Sequence, residues 1–272
     1  MNKDLKKQRI SWKEEAWEEF LSKFWDNRDA GVEFVEYTKK DLENILGKYK
    51  KSGQGEIRIF HYGHENIEAV KKRGISKIPV SRTKWQIIRS APTIKFNEPA
   101  DKLIFNKKNL LTDGMLAGIK ETFASKANPG ETTLLAIANY MGIISDFYSL
   151  KEKGILFTGG RQKAGINLVI NGNSVDMKKA QIEIDGGFEW ANVVVIVEMK
   201  SSFKQKVFDI NQALIPMLKW QKLLKHKQVK SLVLLAETKK DYIEYWAFDL
   251  VEDEKTKMKV AKSKKYILDV KK

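Results

Sequence analysis

The residues best suited to chemistry lie in the C-terminal half of the sequence, around the apolar run Val193–Val197. Glu198 and Lys200 follow that run and alternate with Met199, so on a strand their side chains lie on one face. Asp185 comes thirteen positions before Glu198 and precedes two glycines, which predicts a strand that ends there in a tight turn. If the two strands pair as a hairpin, we expect the acid, the second acid and the amine to converge.

Such a cluster suits the hydrolysis of phosphodiesters. Carboxylates bind hard divalent cations through oxygen, and the cation polarises the phosphate, lowers the pKa of a bound water and neutralises charge in the transition state. Mg²⁺ needs one or two carboxylates plus waters and phosphate oxygens. The sequence therefore predicts a catalytic site of Asp185, Glu198 and Lys200. The two acids are the predicted ligands of Mg²⁺, for which Mn²⁺ can substitute, and Lys200 orients the water.

The same residues also have ordinary structural interpretations. Asp185 beside glycines is typical of a turn carboxylate, and Glu198 with Lys200 fits a cross-strand ion pair. A charged pair directly after the run VVVIV nevertheless favours function, because both faces of that strand look buried. Glu183 and Glu131 are further candidate acids, but an exposed sheet position and a helix-favouring carboxylate explain them equally well.

Composition points to a polyanionic partner. Fifty Lys and Arg against thirty-five Asp and Glu give a formal charge of +15, which favours phosphate contacts and places double-stranded DNA first. The absence of cysteine excludes disulfides, thiolate zinc sites and cysteine nucleophiles. No apolar run approaches the roughly 20 residues of a membrane helix. The basic start is not followed by the apolar stretch of a signal peptide, so we expect a cytoplasmic protein.

Hydrophobic periodicity predicts an α/β protein in two regions. Residues 1–127 are expected to form a mainly helical, mixed region that contributes DNA recognition, and residues 128–272 a mixed sheet flanked by helices. In the second region we predict one long helix over 131–150, four strands over 154–200, a helix from Phe208 to Leu224, and further strands.

Three arginines are candidate DNA contacts. Arg82 and Arg89 lie in the stretch IPVSRTKWQIIRSAPTIKF, whose cations and apolar residues suit a helix laid against a duplex, although an ordinary amphipathic element fits equally well. Arg161 follows Gly159 and Gly160 in a predicted turn.

The motif pattern resembles the PD-(D/E)xK nuclease superfamily. Ile184-Asp185 stands where that superfamily has Pro-Asp, and Glu198-Met199-Lys200 matches its ExK element, so only the proline departs from the signature. The stretch from GGRQ (159–162) through QIEIDGGFEW and EMK to FDINQ (208–212) looks like a subgroup of type II restriction endonucleases, a resemblance of about a hundred residues. Gln212 is placed like a glutamine that often faces the active centre in the superfamily. Pro216 replaces the tyrosine of its recombination-exonuclease branch.

The resemblance implies a restriction-endonuclease-like core and Mg²⁺-dependent, sequence-specific hydrolysis of double-stranded DNA. It also implies a homodimer, by analogy with enzymes that cut both strands of a palindrome, and a cognate DNA methyltransferase in the same system. Two alternatives remain open. One is a structure-specific repair or recombination nuclease of the junction-resolvase kind, and the other is a non-catalytic DNA-binding subunit of the same fold.

Overall fold

The computed structural model describes residues 11–29, 31–49, 67–89, 93–105, 129–170, 173–204, 207–253 and 257–269. The helices are α1 (Trp12–Leu21), α2 (Lys39–Leu46), α3 (Glu68–Arg73), α4 (Glu131–Tyr140), α5 (Ile143–Phe147) and α6 (Asn211–Leu223). The strands are β1 (Phe34–Thr38), β2 (Ile75–Pro79), β3 (Lys84–Arg89), β4 (Thr93–Lys95), β5 (Lys102–Phe105), β6 (Ile155–Lys163), β7 (Asn167–Ile170), β8 (Asn173–Asp176), β9 (Gln181–Glu189), β10 (Val193–Lys200), β11 (Val207–Asp209), β12 (Gln228–Thr238), β13 (Tyr242–Asp253) and β14 (Lys257–Asp269).

The chain divides into two compact units, one formed by Met1–Ala91 with Asn167–Ala180 and the other by Pro92–Ile166 with Gln181–Lys272. The second unit is built on a seven-stranded sheet in the order β5-β14-β13-β12-β10-β9-β6. Two neighbouring pairs, β10 with β12 and β5 with β14, are parallel, and the other pairs are antiparallel. This mixed sheet flanked by helices confirms the predicted α/β class.

Alternate residues of the central strand β12 mark the two faces of this sheet. Leu232 and Leu234 join the core cluster that includes residues of α4 and α5, whereas Val233 and Leu235 join the cluster that includes residues of α6. Because successive side chains of a strand point to opposite faces, helices cover both faces of the sheet. This arrangement buries β10 and β12 on both faces, as the run VVVIV predicts.

The first unit has its own three-stranded antiparallel sheet, in the order β1-β3-β2, and an aromatic core. Trp17, Phe20, Tyr37 and Trp85 are all buried in that core, with residues of α1, α2 and α3. Thr38 begins α2 with a capping box, in which its hydroxyl and the Asp41 carboxylate satisfy each other's backbone N–H groups. The short hairpin of β7 and β8 belongs to this unit.

Several predicted elements differ from the observed ones. The helix expected over 131–150 is two helices, α4 and α5, because Gly142 between them has φ +74°, a left-handed conformation that ends a helix. The helix expected to begin at Phe208 begins at Asn211, after the short strand β11.

The stretch IPVSRTKWQIIRSAPTIKF is also not the helix that its cations suggested. Its described residues form the end of β2, the strand β3 and the strand β4. Trp85 and Ile87 are buried with a period of two, which is the spacing of one face of a strand. The expected helix is therefore wrong, and the alternative of an ordinary amphipathic element fits the strand β3.

Candidate active site

The site is built on the hairpin of β9 and β10, which confirms the predicted pairing. The antiparallel register runs from Val194 opposite Glu189 to Val197 opposite Gly186. The next residue on each strand is Glu198 on β10 and Asp185 on β9. At this point a side chain replaces the backbone pairing between the two strands. The Met199 N–H donates a hydrogen bond of 2.7 Å to Asp185 Oδ2.

The two glycines after Asp185 suggested that a strand ends there, but Asp185 lies inside a strand. β9 continues through Gly186 and Gly187 to Glu189, and the hairpin turns after Trp190. The glycines serve close packing. A Cβ on Gly187 would lie 2.3 Å from Thr158 Cγ2, and a Cβ on Gly186 would lie 2.7 Å from a Leu135 methyl carbon. A strand without side chains at these two places lets β6 and α4 approach β9.

Glu198 and Lys200 form an ion pair with little exposure to solvent. Their side chains are 12% and 19% exposed, and the Lys200 amine donates a hydrogen bond to Glu198 Oε1. In the parallel register with β12, Glu198 lies beside Val233 and Lys200 beside Leu235. The two charged side chains therefore belong to the sheet face covered by α6. Burying such a pair costs desolvation energy, so the pair is expected to add little to the stability of the fold.

A third acid, Glu131 in the first turn of α4, reaches the end of β10. Its Oε1 accepts a hydrogen bond of 3.4 Å from the N–H of Ser201, the residue after Lys200. Burial raises the pKa of Glu131, the Lys200 charge lowers it, and the Asp185 charge raises it again. Glu131 thus belongs to the same electrostatic cluster. From the sequence, Glu131 is a further candidate acid. A carboxylate at the start of a helix is common, however, so the sequence alone could not assign Glu131 to the site.

The acids of the cluster resist ionisation. Burial raises the pKa of Glu198 to about 8, against the lowering effect of Lys200, and burial also raises the pKa of Asp185, against the hydrogen bond from Met199. Burial lowers the pKa of Lys200, but the neighbouring Glu198, Asp185 and Glu131 outweigh it, so the net shift is upward. Three carboxyl groups thus surround one amine in a poorly hydrated place, and additional positive charge would favour their ionised forms.

The donor set fits a hard divalent cation. Carboxylate oxygens are the ligands that Mg²⁺ prefers, and one or two of them suffice because waters and phosphates complete its octahedron. In the part of the chain that the structure describes, no group of three or more His, Cys, Asp and Glu side chains is arranged to hold a metal by itself. Asp185 and Glu198 supply two carboxylates of the kind that such a cation binds.

A narrow crevice lies beside Glu198 on the α6 side. Gln212 and Pro216 of α6 line it, together with Ile184, Ile196, Val197, Ala213 and Ser231. Gln212, singled out in the sequence, thus lies next to the ion pair of the site. Pro216 lies one helical turn further along the same crevice.

The three candidate DNA-contacting arginines do not all belong to one unit. Arg82 is exposed between β2 and β3, and Arg89 is exposed at the end of β3 with Glu33 at 3.8 Å. Both belong to the first unit. Arg161 belongs to the large sheet, where it pairs across the strands with Glu183 at 3.8 Å. The predicted turn at Gly159-Gly160-Arg161 is instead part of β6, although Gly160 has φ +73° and the register shifts beside it.

The fold and site define a mixed α/β protein with a buried acidic cluster at the open end of a hairpin. The chain belongs to the family described as a domain of unknown function, DUF6997, which matches residues 107–267 and so includes the whole cluster. Neither curated proteins nor solved structures match this sequence. Among the described residues, no helix is long and apolar enough to span a membrane.

Proposed function

We propose that this protein is a Mg²⁺-dependent endonuclease that hydrolyses double-stranded DNA, with Asp185, Glu198 and Lys200 as its catalytic residues. One observation carries the proposal. The Met199 N–H binds Asp185 Oδ2 at the point where the strands part, and this contact brings an acid from β9 beside the Glu198–Lys200 pair of β10. A buried amine among several carboxyl groups, with perturbed pKa values, is an arrangement that recurs at catalytic sites, and it supports the proposal.

The roles of the residues follow from their chemistry. Asp185 and Glu198 would hold the cation, and Glu131 would add negative charge near it. The bound Mg²⁺ would polarise the phosphate and acidify a water. Lys200, kept protonated by its acidic neighbours, would orient the attacking water and stabilise the negative charge that develops on the phosphate oxygens. Gln212, which lines the same crevice as Glu198, would offer its amide to a substrate or water held at the cluster.

The sequence resemblance favours a nuclease with a restriction-endonuclease-like core. The flanked mixed sheet and the acid and ExK strands in one hairpin support it. A homodimer would cut both strands of a palindromic site, and a cognate DNA methyltransferase would protect the host DNA. The net charge of +15 supports DNA as the polyanion.

Digestion of unmethylated phage DNA tests this function. We expect discrete fragments with Mg²⁺ or Mn²⁺ and intact DNA with EDTA. Cleavage confined to a four-way junction would favour a structure-specific repair nuclease. Binding of DNA without cleavage of linear, supercoiled or branched substrates would leave a DNA-binding module and overturn the enzymatic proposal.

A further inference from the structure

Lys219 of α6 is a partly buried cation whose one described hydrogen-bond partner is a neutral amide. Its Nζ donates a hydrogen bond of 2.5 Å to Gln162 Oε1, and no carboxylate of the described residues lies within ion-pair distance of it. Burial lowers the pKa of Lys219. The Trp220 ring, whose centroid lies 5.4 Å from the amine, and the Gln162 amide stabilise the ammonium group without neutralising its charge, so an anion brought to this place would be bound favourably.

The surroundings of Lys219 fix its position. Gln162 lies in β6, and its amide in turn donates a hydrogen bond to the Thr158 hydroxyl of the same strand. The neighbouring Trp220 packs edge-on against Phe157 of β6, with ring centroids 4.9 Å apart. Two contacts thus tie the second half of α6 to the edge strand of the sheet, and a side chain anchored in this way loses little freedom when it binds a ligand.

The same helix face leads from Lys219 to the candidate active site. Gln212, Pro216 and Lys219 are spaced i, i+4 and i+7, so they share one face of α6, and the first two line the crevice that contains Glu198. Seven residues of helix span about 10 Å. Lys219 therefore lies outside the catalytic cluster but on the same face of α6 as the residues that line the crevice beside Glu198.

We propose that Lys219, held by Gln162, binds a backbone phosphate of the DNA close to the bond that is cut but outside the catalytic cluster. The inference rests on the proposed nuclease function and adds to it a phosphate-binding subsite outside the catalytic cluster. The contact would fix the position of the strand without reading its sequence.

The test measures DNA binding without turnover. The affinity for a labelled duplex of about 25 base pairs is followed by fluorescence anisotropy in EDTA, from about 50 to 200 mM KCl. Lys219→Met should weaken binding about fivefold for any sequence and lower the slope of log Kd against log salt by about 0.9, as expected for one lost phosphate contact. Lys225→Met is the matched control, since it removes an equal charge from an exposed residue beyond the far end of α6.

A second variant guards against a folding defect. Gln162→Glu keeps the lysine but places a carboxylate against its amine, and should lower the slope as Lys219→Met does. Gln228→Glu, at the exposed start of β12, supplies the control for an added negative charge. A normal melting temperature shows that each variant is folded.

The two proposals fail in different ways. If the wild type cuts DNA but neither Lys219→Met nor Gln162→Glu differs from its control, the phosphate subsite is wrong and the nuclease function stands. If the wild type binds no duplex at 50 mM salt, with EDTA or with Ca²⁺, both proposals are overturned.

Discussion

Asp185 Oδ2 accepts the hydrogen bond of the Met199 backbone N–H at 2.7 Å, directly after the last paired residues of the β9–β10 hairpin. One carboxylate oxygen is therefore occupied by the strand that carries Glu198 and Lys200. This contact locks the relative positions of the acid and the ExK element before any substrate arrives. The other oxygen of Asp185 is the one that would bind the proposed cation.

Asp185→Asn should separate the structural role of this contact from the electrostatic one. The amide oxygen still accepts the Met199 N–H, so we expect a melting temperature within a few degrees of the wild type. The lost charge should weaken Mg²⁺ binding by about tenfold or more. Isothermal titration with Mg²⁺, or the EPR signal of free Mn²⁺, measures the affinity independently of activity. Unchanged affinity in the variant would contradict a metal site at Asp185.

Glu131→Gln should reveal whether the third acid contributes charge to the cation. Glutamine keeps an acceptor for the Ser201 N–H, so α4 should stay in place. Loss of about 1 kcal/mol of Coulomb attraction would weaken Mg²⁺ binding about fivefold. Glu189→Gln, at the opposite end of the hairpin, should leave the affinity unchanged. Equal affinities for all three proteins would exclude Glu131 from the metal site.

Gly187→Ala should destabilise the large sheet because the new Cβ would lie 2.3 Å from Thr158 Cγ2 and 3.0 Å from the Phe157 ring. We expect a loss of about 1–3 kcal/mol in the free energy of unfolding in urea. Gly159→Ala on the neighbouring strand meets its nearest atom, the Asp185 carbonyl oxygen, at 3.5 Å, which is ordinary contact. That variant should lose much less. A Gly187 variant as stable as the Gly159 variant would show that β6 and β9 are not packed this closely.

Arg73 should make the stability of the first unit depend on pH. It donates hydrogen bonds to Glu18 and Asp26, and these bonds lower the pKa of both carboxyl groups. A lowered folded pKa means that the stabilisation is present above the ordinary values, 4.5 and 3.8, and is lost as the pH falls through the folded values. Arg73→Met should therefore cost about 1 kcal/mol at pH 7 and almost nothing at pH 2.

The control for Arg73 is Lys84→Met, which breaks an exposed pair with Glu36. It should change stability by less than about 0.5 kcal/mol at either pH. Thermal unfolding at pH 7 and at low pH measures both effects. A cost for Arg73→Met that is as large at pH 2 as at pH 7 would mean that Arg73 acts through packing rather than through its charge.

The sequence predicts the central part of this fold because local and global signals agree there. The apolar run VVVIV predicts a buried central strand, and the alternation of Glu198 with Lys200 places their side chains on one face of it. The β9–β10 hairpin then follows, since the two strands are separated by a short turn. The role of Glu131 could not be predicted from the sequence, because only the packing of α4 brings this residue to the end of β10.

The wrong predictions have specific physical causes. At Gly142 one left-handed residue ends an apolar period that otherwise continues through Ile144 and Phe147. For Trp85 and Ile87 a few apolar residues fit a helix and a strand about equally well, and pairing with β1 and β2 decides between them. At Asp185 the following glycines looked like a turn, but they serve close contact with β6 and α4.

The most direct test of the central claim is the rate of DNA cleavage by Lys200→Met in Mg²⁺, measured under single-turnover conditions beside the wild type and Lys204→Met. Lys204 is exposed four residues further along the chain, so its variant removes the same charge outside the cluster. The account predicts Mg²⁺-dependent cleavage by the wild type and a rate lowered about 100-fold or more in Lys200→Met. It also predicts an unchanged rate in Lys204→Met and retained DNA binding in all three proteins. A Lys200→Met variant that cuts as fast as the wild type, or a wild type that binds DNA and never cuts it, would contradict the account.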